Sequence, residues 1–600
     1  MEKISLKEKI RKNTPEKLVL RFFCALFLSC ILFLLTAYPV PFNNAVFFKK
    51  VGFPPFICSL LGFFSVLSVI FTFIDSLKLE RLILLVSFTG YALITLFETS
   101  DIWYGFGACI VLLIVCFYVF KDEYAPALKR DISKRLVMII AVAAGSYFAL
   151  FAGVQTVCKY LSLTTPNYDF GIFSQMFYYM KNTFLPYATA ERDMLLSHFA
   201  VHISPVFYLF LPFYAVFPRP ETLMVCQAVL LASGVIPAVM ICGKLGLSNK
   251  ATGTFALIYA LYPALAGGCF FDLHENKFLA PLLLWLFYFI VKNKWYGIAI
   301  FSVLVMLVKE DAPVYVAFAG IFVLVSAKKK DRFKGLAMLA GAVIYFIAAA
   351  LLLNAFGEGT MNERFYNYMS DQNDSLLNVA ANVIKDPAYV IHQMFNASAD
   401  PAVETKIEFM LRMFIPLGFL PFFTKKLHRY ILLLPLVLIN LMPDYVYQHS
   451  IFFQYTYGPL AFLIFLSVLN YSELSGKIKR MTGTYAVIAS VFICTQSVWS
   501  NMNYAENYIS NRQYCDTVRA AIDTIPEDAS VAANTFYCAA ASQRAELYDL
   551  DETSHAREVD YIILDLRSSN GIEKLRSFER SMDYSEYYRL DGWVAIYKKR

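Results

Sequence analysis

The stretch Ile203-Ser-Pro-Val-Phe-Tyr-Leu-Phe-Leu-Pro-Phe-Tyr-Ala-Val-Phe217 decides how this chain is threaded. It is apolar, yet shorter than the ~20 residues a helix needs to cross hydrocarbon. Pro205 and Pro212 each remove a backbone donor. If the stretch crosses, every later loop changes side. Lys328, Lys329, Lys330, Arg332 and Lys334 then face outward, as do Lys425, Lys426, His428 and Arg429, and Lys477, Lys479 and Arg480. If it only dips into the outer leaflet, all three clusters fall inside, as the positive-inside rule prefers. The stretch is therefore read as re-entrant or interfacial.

Composition agrees that the solvent for most of the chain is lipid. Of 600 residues, 58% are hydrophobic and only 16% charged, against roughly 25% charged in a soluble domain. A string of soluble domains, a disordered chain, a coiled coil and a disulfide-stapled scaffold are all excluded. The aromatic load (55 Phe, 39 Tyr, 5 Trp) suits lipid-facing helices with interfacial belts. The net charge of +7 comes in short clusters between apolar runs. That is the pattern of cytoplasmic loops, and it gives no sign of nucleic-acid binding. The N-terminus is polar and basic, and no cleavable signal peptide is expected.

Spans are expected near 19–40, 53–74, 82–97, 103–120 and 136–155. Others follow near 222–242, 251–271, 277–291, 295–308, 312–327, 335–354, 408–424, 429–443, 455–470 and 483–500. The chain is thus read as a polytopic α-helical membrane protein of about fifteen transmembrane helices. Lys121, Lys129, Arg130, Lys134 and Arg135 put the loop after the fourth span in the cytoplasm, and with it the N-terminus. Three parts result: helices in 1–135, a core in 136–500 with large outer loops 156–201 and 355–407, and an extracytoplasmic tail, 501–600. In the tail, Asp528-Ala-Ser-Val-Ala-Ala and Val559-Asp-Tyr-Ile-Ile-Leu-Asp read as short buried strands of a small α/β domain. Cys515 and Cys538 lie in the tail, where pairing is left open. The expected location is the plasma membrane, multi-pass.

A charge well inside the bilayer costs ~2.5–3.5 kcal/mol on insertion scales, so polar groups beside apolar runs need a reason. Asp169, in Asn167-Tyr-Asp-Phe-Gly-Ile-Phe-Ser-Gln175, is either the N-cap of an interfacial helix or a carboxylate available as general base or metal ligand. His198 and His202 share the i, i+4 spacing, as interfacial histidines or as ligands. Asp272-Leu-His-Glu-Asn-Lys277 is a solvated turn or a cation site in which Asp272, His274 and Glu275 supply oxygen and imidazole ligands. In Lys309-Glu-Asp-Ala-Pro313, Asp311 is placed to cap the next helix, and Lys309, Glu310 and Asp311 form either a self-neutralising cluster or a phosphate or metal site. His449, near Gln454 and Tyr455, belongs to an aromatic belt or contacts a phosphate or sugar hydroxyl.

The Asn167–Gln175 stretch, Ser-His-Phe (197–199), Phe-Asp-Leu-His-Glu (271–275) and Lys-Glu-Asp (309–311) together resemble the predicted membrane proteins called domain of unknown function 2079. With weaker parts at 448–455, the resemblance covers roughly residues 140 to 560. The wider architecture is similar to the C-type (GT-C) glycosyltransferases, which carry an essential acid on the first outer loop. That resemblance implies a GT-C-like core that takes a sugar from a polyprenyl-phosphate donor to a glycan, lipid or protein acceptor. It implies that Asp169 is the first-loop acid and that Asp272, His274 and Glu275 match the second acidic loop. The second acidic loop carries no separated Asp-x-Asp, which departs from the pattern for a divalent metal cofactor. Lys309, Arg364 and Arg412 are the candidate phosphate partners. Glu310, Asp311, Gln175, His198, His449 and Tyr455 complete the candidate substrate-binding set. A transporter or lipid flippase is the competing reading, although its usual repeated halves and midplane charges are missing.

Overall fold

The computed structural model describes residues 13–38, 40–44, 46–99, 101–121, 131–359, 363–369, 376–396, 404–552, 558–580 and 583–600. Among them, nine helices are long and apolar enough to cross a membrane. They are Pro15–Ala37, Phe53–Ile74, Leu77–Phe97, Ile102–Val119, Lys134–Leu161, Pro220–Lys244, Asn249–Phe271, Lys329–Phe356 and Gly476–Asp523. The expected spans between them are built from shorter pieces. Leu279–Lys292, Trp295–Met306, Pro313–Ser326 and Tyr457–Glu473 are single short helices. The two expected spans in 408–443 are broken. Lys406–Phe414 gives way to 3-10 turns at Pro416 and Pro421, and Leu427–Leu433 leads through Pro435 into a π turn. Each proline lacks the donor that would continue the helix.

The bundle has two chemically distinct ends. One is basic. There Lys17 pairs with Asp75, and Glu16 joins Arg81 and the Tyr118 hydroxyl. Asp131 accepts from the backbone of Asn249 and Lys250. Lys334 reaches Asn293, and Lys426 and Arg429 meet Glu473. The Lys477 ammonium sits over the Phe117 ring. The loops carrying the basic clusters therefore share one end. The segment 203–217 does not cross between the ends. It forms a 3-10 turn, Pro205–Leu209, and a six-residue helix, Leu211–Val216. Val206 N–H donates to the Leu307 carbonyl at the opposite end from the basic loops.

That opposite end carries the tail. After the helix Tyr504–Asp523 come β3 (Val531–Ala533), β4 (Leu547–Asp549), β5 (Tyr561–Asp565), β6 (Tyr584–Leu590) and β7 (Val594–Lys599), following β1 (Tyr187–Ala188) and β2 (Leu196–Ser197) of the first large loop. The five-stranded order is β4-β3-β5-β7-β6, with β3 parallel to β4 and β5, and β7 antiparallel to β5 and β6. Both expected strands are present, at Val531–Ala533 and Tyr561–Asp565. Cys515 and Cys538 are buried free thiols. The domain is tied down by polar contacts: Arg519 pairs with Glu221, and Arg567 donates to the Leu163 carbonyl. In the N-terminal helices, Arg21 and Glu80 form a two-point ion pair with both side chains 1% exposed.

Candidate functional site

The site begins with the turn that holds Asp169. Asn167–Gly171 is a single π turn ahead of the helix Ile172–Thr183, a departure from α geometry that is common at functional sites. A Cβ at position 171 would lie 2.3 Å from Asn167 Oδ1, so only glycine fits. Asn167 is held from both sides. Its Nδ2 donates to the Ala190 carbonyl at 3.1 Å, and its backbone N–H donates to Thr535 Oγ1 of the sheet domain at 3.0 Å. Asp169 is not an N-cap. Gly171 occupies the cap position of the following helix, and no side chain caps it. Among the described residues, no hydrogen bond or ion pair engages the Asp169 carboxylate.

That carboxylate is only partly exposed and faces other acids. Burial, then the negative charges of Glu275 and Asp272, push it up to about 7. An acid that titrates near neutrality can take a proton in a reaction run at neutral pH.

Behind Asp169 lies a buried charge cluster. Lys309 Nζ is 3.1 Å from Glu275 Oε1, and His274 Nδ1 is 3.3 Å from Glu275 Oε2. These are close charge contacts without hydrogen-bond alignment, and both Glu275 oxygens are buried with no hydrogen bond among the described residues. Burial opposes the charge on Lys309, but Glu275, Glu310 and Asp311 hold its ammonium protonated above the usual lysine range. Burial and then the Lys309 charge keep His274 and His202 neutral. His202 Nδ1 contacts Glu310 Oε1 at 2.8 Å, and Ile203 N–H donates to Glu310 Oε2. His198 Nδ1 sits 3.0 Å from Glu191 Oε1; burial opposes its protonation, but the Glu191 carboxylate raises it above the ordinary histidine value. The two histidines therefore turn to different acids.

Arg364 closes the cluster. It lies 4.9 Å from the Tyr455 ring centre and 5.6 Å from that of Tyr445, a stacking geometry suited to a guanidinium. His202, Lys309, Glu310, Asp311 and Arg364 form the polar end of a cavity of about 470 Å³. Its other walls are apolar, with Val314, Phe346, Val383 and Leu438 among them. Asp311 does not cap the next helix: Ala312 does, without a side-chain bond. The carbonyl of Lys309 accepts from Ala312 N–H, closing a turn that leaves the Asp311 side chain to the cavity.

Other candidates sit elsewhere. Asp272 pairs with Lys159 at 2.7 Å, and Lys277 donates to its carbonyl. Asp272 adopts φ +109°, a conformation that costs a non-glycine residue ~1–3 kcal/mol. Lys277 also reaches Gln227 Oε1 at 2.6 Å, and burial pushes its ammonium down to about 8. With Asp272 turned to a lysine, Asp272, His274 and Glu275 do not present a shared metal-ligand set. Among the described residues no group of three or more His, Cys, Asp or Glu could hold a metal ion. Gln175 lies between loop and sheet domain, accepting from Thr189 and Ala190 N–H and donating to the Ala545 carbonyl. Arg412 pairs with Glu404 at 2.9 Å. His449 is 1% exposed, both its ring nitrogens lack a partner among the described residues, and burial pushes it down to about 4. The sequence reading missed Lys159, Glu191 and Glu404, because a charge at a helix end or in a loop carries no distinguishing signal.

The family profile "Predicted membrane protein (DUF2079)" matches residues 159–595, and the chain belongs to that family. No curated protein matches the chain. Among solved structures, ArnT from Cupriavidus metallidurans in the apo state aligns at 11% identity and TM-score 0.40, covering 76% of this chain and 98% of that one. The same protein bound to undecaprenyl phosphate aligns at 12% identity and TM-score 0.41, covering 75% and 98%.

Proposed function

We propose that this DUF2079 protein is a membrane glycosyltransferase that takes a sugar from a polyprenyl-phosphate donor and passes it to an acceptor hydroxyl. The observation that carries this reading is the two-natured cavity. Its polar end offers Lys309 and Arg364, and its walls offer Val314, Phe346, Val383 and Leu438. A phosphate joined to a long hydrocarbon needs both. The positive-inside rule supports a cytoplasmic basic end, an extracytoplasmic site and a plasma-membrane location.

The chemistry is an inverting single displacement. The acceptor oxygen attacks the anomeric carbon while the bond from that carbon to the phosphate oxygen breaks. Asp169 takes the acceptor's proton, for which its elevated affinity near neutrality suits it. The negative charge that builds on the departing phosphate is met by Lys309 and Arg364, which stay protonated. Among the described residues Asp272, His274 and Glu275 do not assemble into a donor set for a metal. Glycan, lipid and protein hydroxyls all satisfy this scheme as acceptors.

The test is transfer of labelled sugar from synthetic polyprenyl-phosphate donors in membranes carrying wild type or Asp169→Asn. Loss of transfer in the variant, with the protein still folded and inserted, supports the reading. Equal transfer overturns it.

A further inference from the structure

The basic end of the bundle holds a second cavity that the proposed chemistry does not use. It has a volume of about 590 Å³ and opens between the ends of Leu279–Lys292, Pro313–Ser326 and Tyr457–Glu473. Its rim carries Lys328, Lys330, Lys334, Lys426 and Arg429, and its depth is apolar, with Ile298, Phe322, Phe465 and Leu469.

The rim is over-supplied with positive charge. Lys334 is matched by Asp331 at 2.8 Å, and Lys426 and Arg429 share Glu473. Five cations thus meet two carboxylates. Lys328 and Lys330 are exposed, and neither ammonium makes an ion pair or hydrogen bond among the described residues. The charge calls for an anion, and the apolar depth calls for hydrocarbon attached to it. Beside the cavity, the rings of Trp295 and Phe333 lie 6.0 Å apart and are both exposed, as aromatic residues at headgroup level are. Basic pockets between helix ends on the cytoplasmic side suit anionic headgroups, since that leaflet is negatively charged.

We propose that this cavity binds an anionic phospholipid, its phosphate between Lys328 and Lys330 and an acyl chain against Phe322 and Phe465. The site lies at the opposite end of the bundle from Asp169 and stands independently of the transfer reaction.

The experiment uses the full chain purified in detergent and measures retention of phosphatidylglycerol and phosphatidylcholine by native mass spectrometry. Wild type is expected to favour phosphatidylglycerol by about thirtyfold, which is the ~2 kcal/mol that two basic residues near the headgroup contribute. The double variant K328Q/K330Q, altered only at exposed positions, is expected to lose that preference. The pair K425Q/K477Q, at the same end but outside the cavity, is expected to keep it. Inorganic phosphate at millimolar concentration is expected not to displace the lipid. Equal retention of the two lipids by wild type, an equal loss in both double variants, or displacement by inorganic phosphate would each overturn the proposal.

Discussion

Lys309 and Glu275 form an ion pair at 3.1 Å in which the carboxylate is fully buried and the lysine 3% exposed. They come from two separate breaks in the apolar sequence, and their meeting ties two helix ends together behind the cavity that Lys309 lines. Removing one member of a buried pair leaves the other charge uncompensated, which costs about 3–5 kcal/mol. Lys309→Ala is therefore expected to lower thermal stability sharply. Lys309→Ala with Glu275→Gln is expected to recover much of the loss without recovering sugar transfer. A thermal-unfolding series on the purified single and double variants checks this.

Asp169 predicts a pH dependence with a definite sign. Transfer needs the carboxylate, so the rate should rise as pH increases through about 7 and then level off. Stability should run the other way. An acid whose folded-state affinity for a proton exceeds its ordinary value of 3.8 contributes stability that is fully present below about 3.8 and is lost as pH rises from there through about 7. Asp169→Asn is thus expected to melt later than wild type at pH 8, by a smaller margin at pH 5 and close to it only below about 3.8, while showing no transfer at any of these.

Gly171 is expected to control the position of Asp169 without touching substrate. A methyl group there would collide with Asn167 Oδ1 at 2.3 Å and dislodge the side chain that fixes the turn. Gly171→Ala should insert and fold, but should lose transfer by about a hundredfold, the usual consequence of a displacement near 1 Å.

The positions of the charged residues were legible because the sequence around them is so apolar. Glu275 and Lys309 each interrupt a run that would otherwise continue as helix, and Asp169 precedes an aromatic stretch at the membrane surface. Their partners were not. Lys159 pairs with Asp272 from 113 positions away and reads in sequence as an ordinary lysine at a helix end. Glu191 lies in a loop where a carboxylate is unremarkable until His198 folds against it. Gln175 was grouped with the substrate contacts by its place beside Asp169, but helical periodicity turns it toward Thr189 and the sheet domain. Local pattern reveals which groups are costly to bury, and long-range packing decides what neutralises them.

Arg364 offers the last discrimination. Its guanidinium lies over Tyr455 and Tyr445, and Nη2 reaches the Tyr455 hydroxyl at 3.4 Å. Among the described residues no carboxylate forms an ion pair with it, so its charge is available to a phosphate in the cavity. Lysine keeps the charge but loses both the planar stacking and the two-point geometry. Arg364→Lys is expected to raise KM for the polyprenyl-phosphate donor by about tenfold, in line with ~1.5–3 kcal/mol for a hydrogen bond to a charged group. Arg364→Ala should also lower kcat, because the charge that develops on the leaving phosphate then has Lys309 alone to meet it. Steady-state kinetics at varied donor and fixed acceptor separate the two effects. If both variants changed KM for the acceptor instead, Arg364 would belong to the acceptor side of the cavity and the phosphate would rest on Lys309.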